Sequence, residues 1–478
     1  MATSMLQFTK MQSQMPEKRS ADLRRQDFDE IYTGFDPERA AVQATRCSQC
    51  GVPYCQVHCP LGNHIPDWLM LAANGRLQEA YEISSATNNM PEICGRICPQ
   101  DRLCEGNCVI EKAGHGTVTI GAIEKHITET AFAQGWVKPS NPQVERAQSI
   151  AIIGAGPGGL AAADQLRKSG FQVHIYDRYD RVGGLLIYGI PGFKLEKDVV
   201  ARREAYLRDC GVIFHLNCNV GTDVSFGELR TRHDAVLIAT GVYKARELEI
   251  PGAGAQNIVP ALSYLTTANK RTLGDPIDAP DLDARDKNVV VIGGGDTAMD
   301  CVRTAIRQGA KSVQCVYRRD QANMPGSQQE VKNAMEEGVA FKWLHSPQAF
   351  LSDDRGGISH LRAQKMRLSL PDATGRQSIE AVEGAGVNLS ADLAIKALGF
   401  DPEDLPSLFD APDLPTSGWG TIQVSWADFQ VKGMPGVFAA GDIVRGASLV
   451  VWAIKDGRDA AAAIEAYLDA HALPQATQ

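Results

Sequence analysis

SIAIIGAGPGGLAAADQLRKSGFQVHIYD, residues 149–177, decides the fold. An apolar run from Ile150 to Ile153 leads into Gly154, Gly156 and Gly159, then a helical stretch, then a second apolar run ending at Asp177. Strand, glycine turn, helix and strand make a βαβ unit that binds a mononucleotide half. Gly154 permits the tight turn, Gly156 lets backbone approach a pyrophosphate, and Gly159 allows close helix–strand packing. Ala155, Pro157 and Gly158 complete the loop, and the helix offers its first N–H groups to phosphate. An acid at Asp177 can accept from ribose hydroxyls. A lone G-x-G-x-x-G is weak, and its bland reading is a structural turn. Strand, helix and acid in register make it a dinucleotide site.

The texture returns at Asn288–Arg319, NVVVIGGGDTAMDCVRTAIRQGAKSVQCVYRR. Gly293, Gly295 and Ala298 repeat the motif, with Gly294, Asp296 and Thr297 between them. Two such units in one chain imply two bound dinucleotides. The second unit ends its second strand in Arg318 and Arg319 where the first carries Asp177. A carboxylate repels a 2′-phosphate, whereas guanidinium groups pair with it, so the second site is expected to take NADP(H). The opposing reading is a solvated strand end, and Asp320 directly after the pair speaks for it.

The rest of the chain sets the frame. With 478 residues, 44% hydrophobic and 22% charged, the composition is that of a soluble globular protein with several domains. The net charge of −9 argues against nucleic acid or an anionic membrane as partner. No apolar run is long enough to span a membrane, and the start of the sequence lacks an apolar signal core, so a cytoplasmic location is expected. Apolar spacing predicts a helix over 66–82, and Asn141-Pro142 marks a linker.

Eight of the twelve cysteines crowd between Cys47 and Cys108. Their spacing is Cys47-x2-Cys50-x4-Cys55-x3-Cys59-Pro60 and Cys94-x3-Cys98-x5-Cys104-x3-Cys108. A local cluster in a chain without a secretory signal reads as metal ligation rather than disulfides. Structural zinc prefers two knuckle pairs across a longer loop. Compact runs closing in Cys-Pro resemble bacterial two-cluster ferredoxins, so two [4Fe–4S] clusters are expected. The other four cysteines, Cys210, Cys218, Cys301 and Cys315, form no close pair along the sequence and read as buried small hydrophobes.

Further segments carry a resemblance. Arg181-Val182-Gly183-Gly184, Leu237 to Gly241 and Val437 to Asp442 occur in the order seen in two-dinucleotide flavoprotein reductases. That resemblance implies FAD in the first unit. It would be held by the glycine loop, Tyr176, Asp177, Arg178, Gly184, Leu185, Gly189, Ala239, Thr240, Gly241, Gly441, Asp442, Leu449, Val450 and Val451. RCSQCGVPYC, NHIPDW, YDRYDRVGGLLIYGIPGFKLEK, GGGDTAMDC, YRRDQANMPGS and AAGDIVRGASLVVWAI resemble the small (β) subunits of bacterial NADPH-dependent glutamate synthases. The match covers nearly the whole chain, and the N-terminal half of dihydropyrimidine dehydrogenase is similar.

The resemblance implies an α/β chain: a mainly helical iron–sulfur domain over 1–145, then two Rossmann-like domains in an adrenodoxin-reductase-like arrangement. FAD would take 146–255 with 408–478, and NADPH 256–407. It implies interleaved ligands, Cys47, Cys50, Cys55 and Cys108 for one cluster and Cys59, Cys98, Cys104 and Glu124 for the other, with Cys94 left out. The competing reading keeps Cys94 as ligand and Glu124 as a surface acid. Lys194, in Gly189 to Lys194, would lie near the flavin or be merely solvated. The implied partner is a large (α) subunit carrying FMN and further iron–sulfur chemistry, which makes glutamate from glutamine and 2-oxoglutarate. The charged stretch before Cys47 would be an arm at that contact or a disordered tail. Alternatives are an NADPH:ferredoxin or sulfur-reducing flavoprotein of the same build, or a zinc-stabilised nucleotide-binding scaffold.

Overall fold

The computed structural model describes residues 4–277, 282–353, 356–372 and 377–471. The expected α/β class holds, with a helical N-terminal domain ahead of two parallel sheets. The two sheets share a plan. In the first, the strand Ser149–Ile153 is central, flanked by Gln172–Tyr176 then Ile213–His215 on one side and Ala235–Ile238 then Val437–Ala439 on the other. In the second, Asn288–Ile292 is central, flanked by Ser312–Tyr317 then Ala340–Trp343, and by Leu393–Lys396 then Ile258–Pro260. All these pairings are parallel. The central strands are buried on both faces, as apolar β-branched runs between helices should be. A three-stranded antiparallel sheet, His345–Ser352, Ile358–Leu368 and Ile379–Ser390, is inserted before the strand Leu393–Lys396.

In the cysteine-rich part, the single helix expected over 66–82 is two helices, Ile65–Ala73 and Leu77–Thr87. The break falls at Gly75, whose φ of 72° no helical residue adopts. Apolar periodicity ran across the break because both helices present their apolar faces to the same core around Trp68.

Buried charge fastens the helical domain to the first sheet unit. Glu92 and Arg203 are both buried and pair through two bonds of 2.7 and 2.9 Å. Removing one partner of such a pair costs about 3–5 kcal/mol, because the other is left charged in a low dielectric. Asn89 bridges the same seam, donating to Asp164 and accepting from Arg458 at 2.6 Å.

The segment before Cys47 is packed along the chain from residue 4 onward. Leu6 N–H donates to Cys47 O at 3.2 Å, and Phe8 lies edge-on to His115. Further along, Lys18 and Arg24 donate to Glu336 on the second sheet unit at 2.6 and 2.8 Å, and Arg24 reaches the buried Glu337 at 3.1 Å. Glu337 also holds Arg303 and Arg307, which keeps its carboxyl at about 2 despite its burial. The arm therefore staples the helical domain's edge to the second unit of its own chain.

Candidate redox site: two nucleotide loops and two cysteine groups

The first loop is closed by contacts that tolerate only glycine. Gly154 has φ 112°, and a Cβ there would stand 2.5 Å from Ala239 O. A Cβ on Gly159 would stand 2.1 Å from Gly154 O. Gly156, by contrast, faces open space in front of the helix Pro157–Lys168, with Gly184 beside it. That opening at a helix N-terminus fits a pyrophosphate. Next to it the Thr240 hydroxyl is buried without a hydrogen-bond partner, as a group awaiting a ligand would be. Asp442 starts a short helix after Gly441 and accepts from the Ser448 hydroxyl at 2.6 Å.

Several of the expected residues lie against this opening, with two differences in detail. Asp177 accepts from Ala155 N–H at 2.6 Å and from Tyr179 N–H at 2.8 Å, so its carboxylate closes the loop itself. Burial raises its pKa. Tyr176 contributes its backbone carbonyl, which accepts from Gly154 N–H, but its ring stacks on His215 and its hydroxyl meets His233 at 3.1 Å. Arg178 makes a two-bond pair with Glu403 at 3.0 and 2.9 Å and lies over the ring of Tyr243. The Tyr243 hydroxyl lies 3.5 Å from a Cβ built on Gly184. Tyr243 and Glu403 were missed from sequence. Tyr243 had a signal, two residues past Gly241; Glu403 had none, being 225 residues from Arg178.

The second loop repeats the closure. A Cβ on Gly293 would stand 2.2 Å from Ala397 O, and one on Gly294 would enter the ring of Tyr317. Gly295 again faces open space at a helix start, here Asp296–Arg307. Asp296 accepts from Ser327 N–H at 2.9 Å. Arg318 is exposed and Arg319 partly so, and among the described residues neither guanidinium has a hydrogen-bond or ion-pair partner. Asp320 turns away from them, accepting from the backbone and side-chain N–H groups of Asn323 at 3.0 and 2.7 Å. Both arginines are left available to a phosphate.

The eight cysteines sort into two adjoining groups. Burial first, then the neighbouring Cys47, Cys108 and Cys50, push the Cys55 thiol up to about 12. Burial lifts Cys59 to about 11, with Cys94 and Glu124 adding to it. One cavity is lined by Cys59, Cys94, Cys98, Cys104, Glu124 and Val451. Glu124 is buried, not a surface acid, and burial raises it to about 8 although Ser84 and Asn88 donate to it at 3.4 and 3.3 Å. Close buried thiols cannot ionise together unless a cation joins them, and iron is such a cation. The donor set fits iron–sulfur clusters. Val451 stands at the start of the helix Val450–His471, whose Gly457 packs on Gly158 O, so this cavity abuts the first nucleotide loop.

Lys194 is largely but not fully buried and donates to Asp300 on the second unit at 2.9 Å. The charges of Asp300 and Glu330 raise it against the lowering effect of burial. Of the four remaining cysteines, three are buried as expected, but Cys218 is partly exposed, because it lies in the loop that follows the edge strand Ile213–His215. Cys301 and Cys315 share the second unit's core as free thiols. Cys315 donates to Gly293 O at 3.3 Å.

Two nucleotide loops of this form behind a cysteine-rich helical domain define a class, the pyridine-nucleotide oxidoreductases with an iron–sulfur module. Residues 24–136 match the family described as dihydropyrimidine dehydrogenase domain II, 4Fe-4S cluster, and residues 148–457 match pyridine nucleotide-disulphide oxidoreductase. The glutamate synthase [NADPH] small chain of Azospirillum brasilense is 62% identical over 98% of this chain and 97% of its own. That of Escherichia coli K12 is 44% identical over 98% and 100%. The fold is shared with Mycobacterium tuberculosis FprA, solved in complex with NADPH, at TM-score 0.57 and 21% identity over 68% of this chain and 85% of that one. The chain belongs to the glutamate synthase [NADPH] small-chain family and is an NADPH-dependent oxidoreductase.

Proposed function

We propose that this chain is the electron-input subunit of a cytoplasmic glutamate synthase, oxidising NADPH and delivering electrons to a large partner chain. That partner, carrying FMN and further iron–sulfur chemistry, would form glutamate from glutamine and 2-oxoglutarate. The observation that carries the reading is end-to-end similarity to small chains at 62% identity, joined to a cysteine-lined cavity that abuts the first nucleotide loop. FAD belongs at Gly156, Gly184, Thr240 and Asp442, and NADPH at Gly295 with Arg318 and Arg319 on its 2′-phosphate. FAD accepts a hydride's electron pair and gives electrons singly, which lets a nicotinamide donor feed iron–sulfur clusters.

Two [4Fe–4S] clusters fit the two groups: Cys47, Cys50, Cys55 and Cys108 in one, and Cys59, Cys98, Cys104 and Glu124 in the other. The burial of Glu124 in the same cavity supports it as ligand, although Cys94 lines that cavity too. The residue division 1–145, 146–255 with 408–478, and 256–407 belongs to the same reading and is supported by the return of the strand Val437–Ala439 to the first sheet. Lys194 receives no part in proton transfer, since its partner Asp300 holds it charged.

The test is turnover by the purified chain. With NADPH it should reduce a dye such as ferricyanide and form no glutamate, and adding the large chain isolated from the native cell should start glutamate formation. Glutamate made by the small chain alone would refute the assignment. Iron content then decides the ligand question, Glu124→Ala losing a cluster and Cys94→Ala keeping both.

A further inference from the structure

The first cysteine group lies under an unusual surface. From Cys47 to Pro66 the sequence has no Asp, Glu, Lys or Arg, in a chain where 22% of residues are charged. Cys47, Cys55 and Ile65 reach the core, but much of the stretch lies at the surface. Val52 is 61% exposed, Val57 64%, Tyr54 49%, and Val109, directly after Cys108, 39%. All four are within three residues of Cys50, Cys55 or Cys108. Exposed apolar side chains scattered singly need no explanation, but a group without charge around one centre marks a contact surface. At its rim, Glu111 and Lys112 carry opposite charges and leave no net field.

The position of this surface gives it meaning. The second cysteine group shares a cavity with Val451 and so faces the first nucleotide loop. The first group adjoins the second, since Cys59 and Cys104 pack against the core that holds Cys47, Cys55 and Cys108. It is the one that lies beside the exposed Val52, Tyr54 and Val57. The exposed tryptophans among the described residues, Trp419 and Trp426, belong to the segment that follows the strand pair of Phe400–Asp401 with Lys244–Ala245, away from the cysteines in sequence.

We propose that Val52, Tyr54, Val57 and Val109 form the docking surface for the electron-accepting partner, and that the partner meets it with an equally uncharged apolar face. This rests on the cluster reading above. Each NADPH leaves as NADP+ and a proton, and its two electrons cross this face one at a time to the partner's acceptor. The missing charge selects the occupant. A partner steered by charge would need complementary Lys, Arg, Asp or Glu here, and none is present in the stretch. An apolar face excludes water and holds the two centres at fixed separation, while its encounter rate barely feels salt.

The experiment uses the full chain with clusters and flavin, titrated with the large glutamate synthase chain. In Val52→Glu with Val57→Glu, flavin and iron absorbance and NADPH-dependent ferricyanide reduction should match the parent. The large-chain concentration giving half-maximal glutamate formation should rise about tenfold or more, the effect of placing charge in a desolvated contact. Trp419→Glu should leave that concentration unchanged. Parent coupling should change less than about twofold between low and physiological salt. Unchanged coupling in the double variant overturns the proposal, as does an equal loss in Trp419→Glu. A parent dimer that the double variant converts to monomer also overturns it, because the surface then covers a second copy. If the parent itself lacks iron or supports no glutamate formation, the functional reading fails and takes this surface with it.

Discussion

The two nucleotide loops share a skeleton and part ways at the end of the second strand. In the first, Asp177 is consumed by two backbone N–H groups and is part of how the loop closes. In the second, Arg318 and Arg319 hold nothing among the described residues, and the loop is closed instead by the Tyr317 ring against Gly294 and by Asp296 on Ser327. By strand register Tyr317 stands at the place of Asp177, and each closes its own loop. Arg318 stands at the place of Arg178: Glu403 holds the first, and the second is left for ligand. An acid at the end of this strand therefore says less about its ligand than an unpaired base beside it does. The carboxylate can serve the backbone, whereas a guanidinium has only donors and finds no acceptor in a loop of N–H groups.

The comparison can be broken in several ways. The largest effect is expected from Gly159→Ala. Its Cβ would lie 2.1 Å from Gly154 O, both being fixed backbone. Overpacking of this kind costs about 1–3 kcal/mol or more, and the variant should purify without flavin; full flavin content would show that the loop can relax. Asp177→Ala should come next. It strips acceptors from two N–H groups, about 1–3 kcal/mol each if they stay dry, so both melting temperature and flavin retention should fall. Arg318→Ala with Arg319→Ala should leave the melting temperature nearly unchanged, within about 0.5 kcal/mol, because nothing in the fold uses these side chains. It should raise KM for NADPH about 10- to 100-fold and hardly alter that for NADH. An equal rise for both would remove the 2′-phosphate from the argument.

The smallest effect concerns pH and exists only in the first unit. His174, His215 and His233 cluster beside Tyr176, and the corresponding strand of the second unit, SVQCVY, carries no histidine. Burial, then His174 and His215, hold His233 down to about 4, with Arg232 adding slightly and Asp234 opposing. An unfolded histidine titrates near about 6.5, so the fold favours the neutral ring. Its contribution is complete above that value and is lost as pH falls toward 4. The melting temperature of His233→Gln should therefore drop less between pH 7 and 5 than that of the parent. Parallel curves would show that His174 and His215 carry the charge instead.

Much of this was legible from residue order. The glycine loops and the two cysteine runs lie in short contiguous motifs whose geometry is local, and Gly154 and Gly293 have the closures their motif demands. Asp177 was placed correctly at its strand end, but its work for Ala155 was not visible, since a carboxylate reads the same whether it serves ribose or backbone. Helical periodicity passed through Gly75 for a different reason, as two helices on one core keep one apolar phase. Contacts between distant segments left no trace at all. Glu403 beneath Arg178, Asp300 on Lys194 and Glu337 on Arg24 are ordinary charged residues in sequence, and only packing makes them partners.

The staple at Arg24 has a bearing on how the chain is made. Glu337, the buried carboxylate that Arg24 meets, is added 313 residues after it. At 5–20 residues per second that is an interval of roughly 16–60 s. Cys108 is reached in the first third of that interval, so the helical domain has all its cysteines while Arg24 still lacks its partner. The fastening of the helical domain to the second unit thus comes after the cysteine groups are complete, and before the strand Val437–Ala439 and the helix Val450–His471 return to finish the first unit.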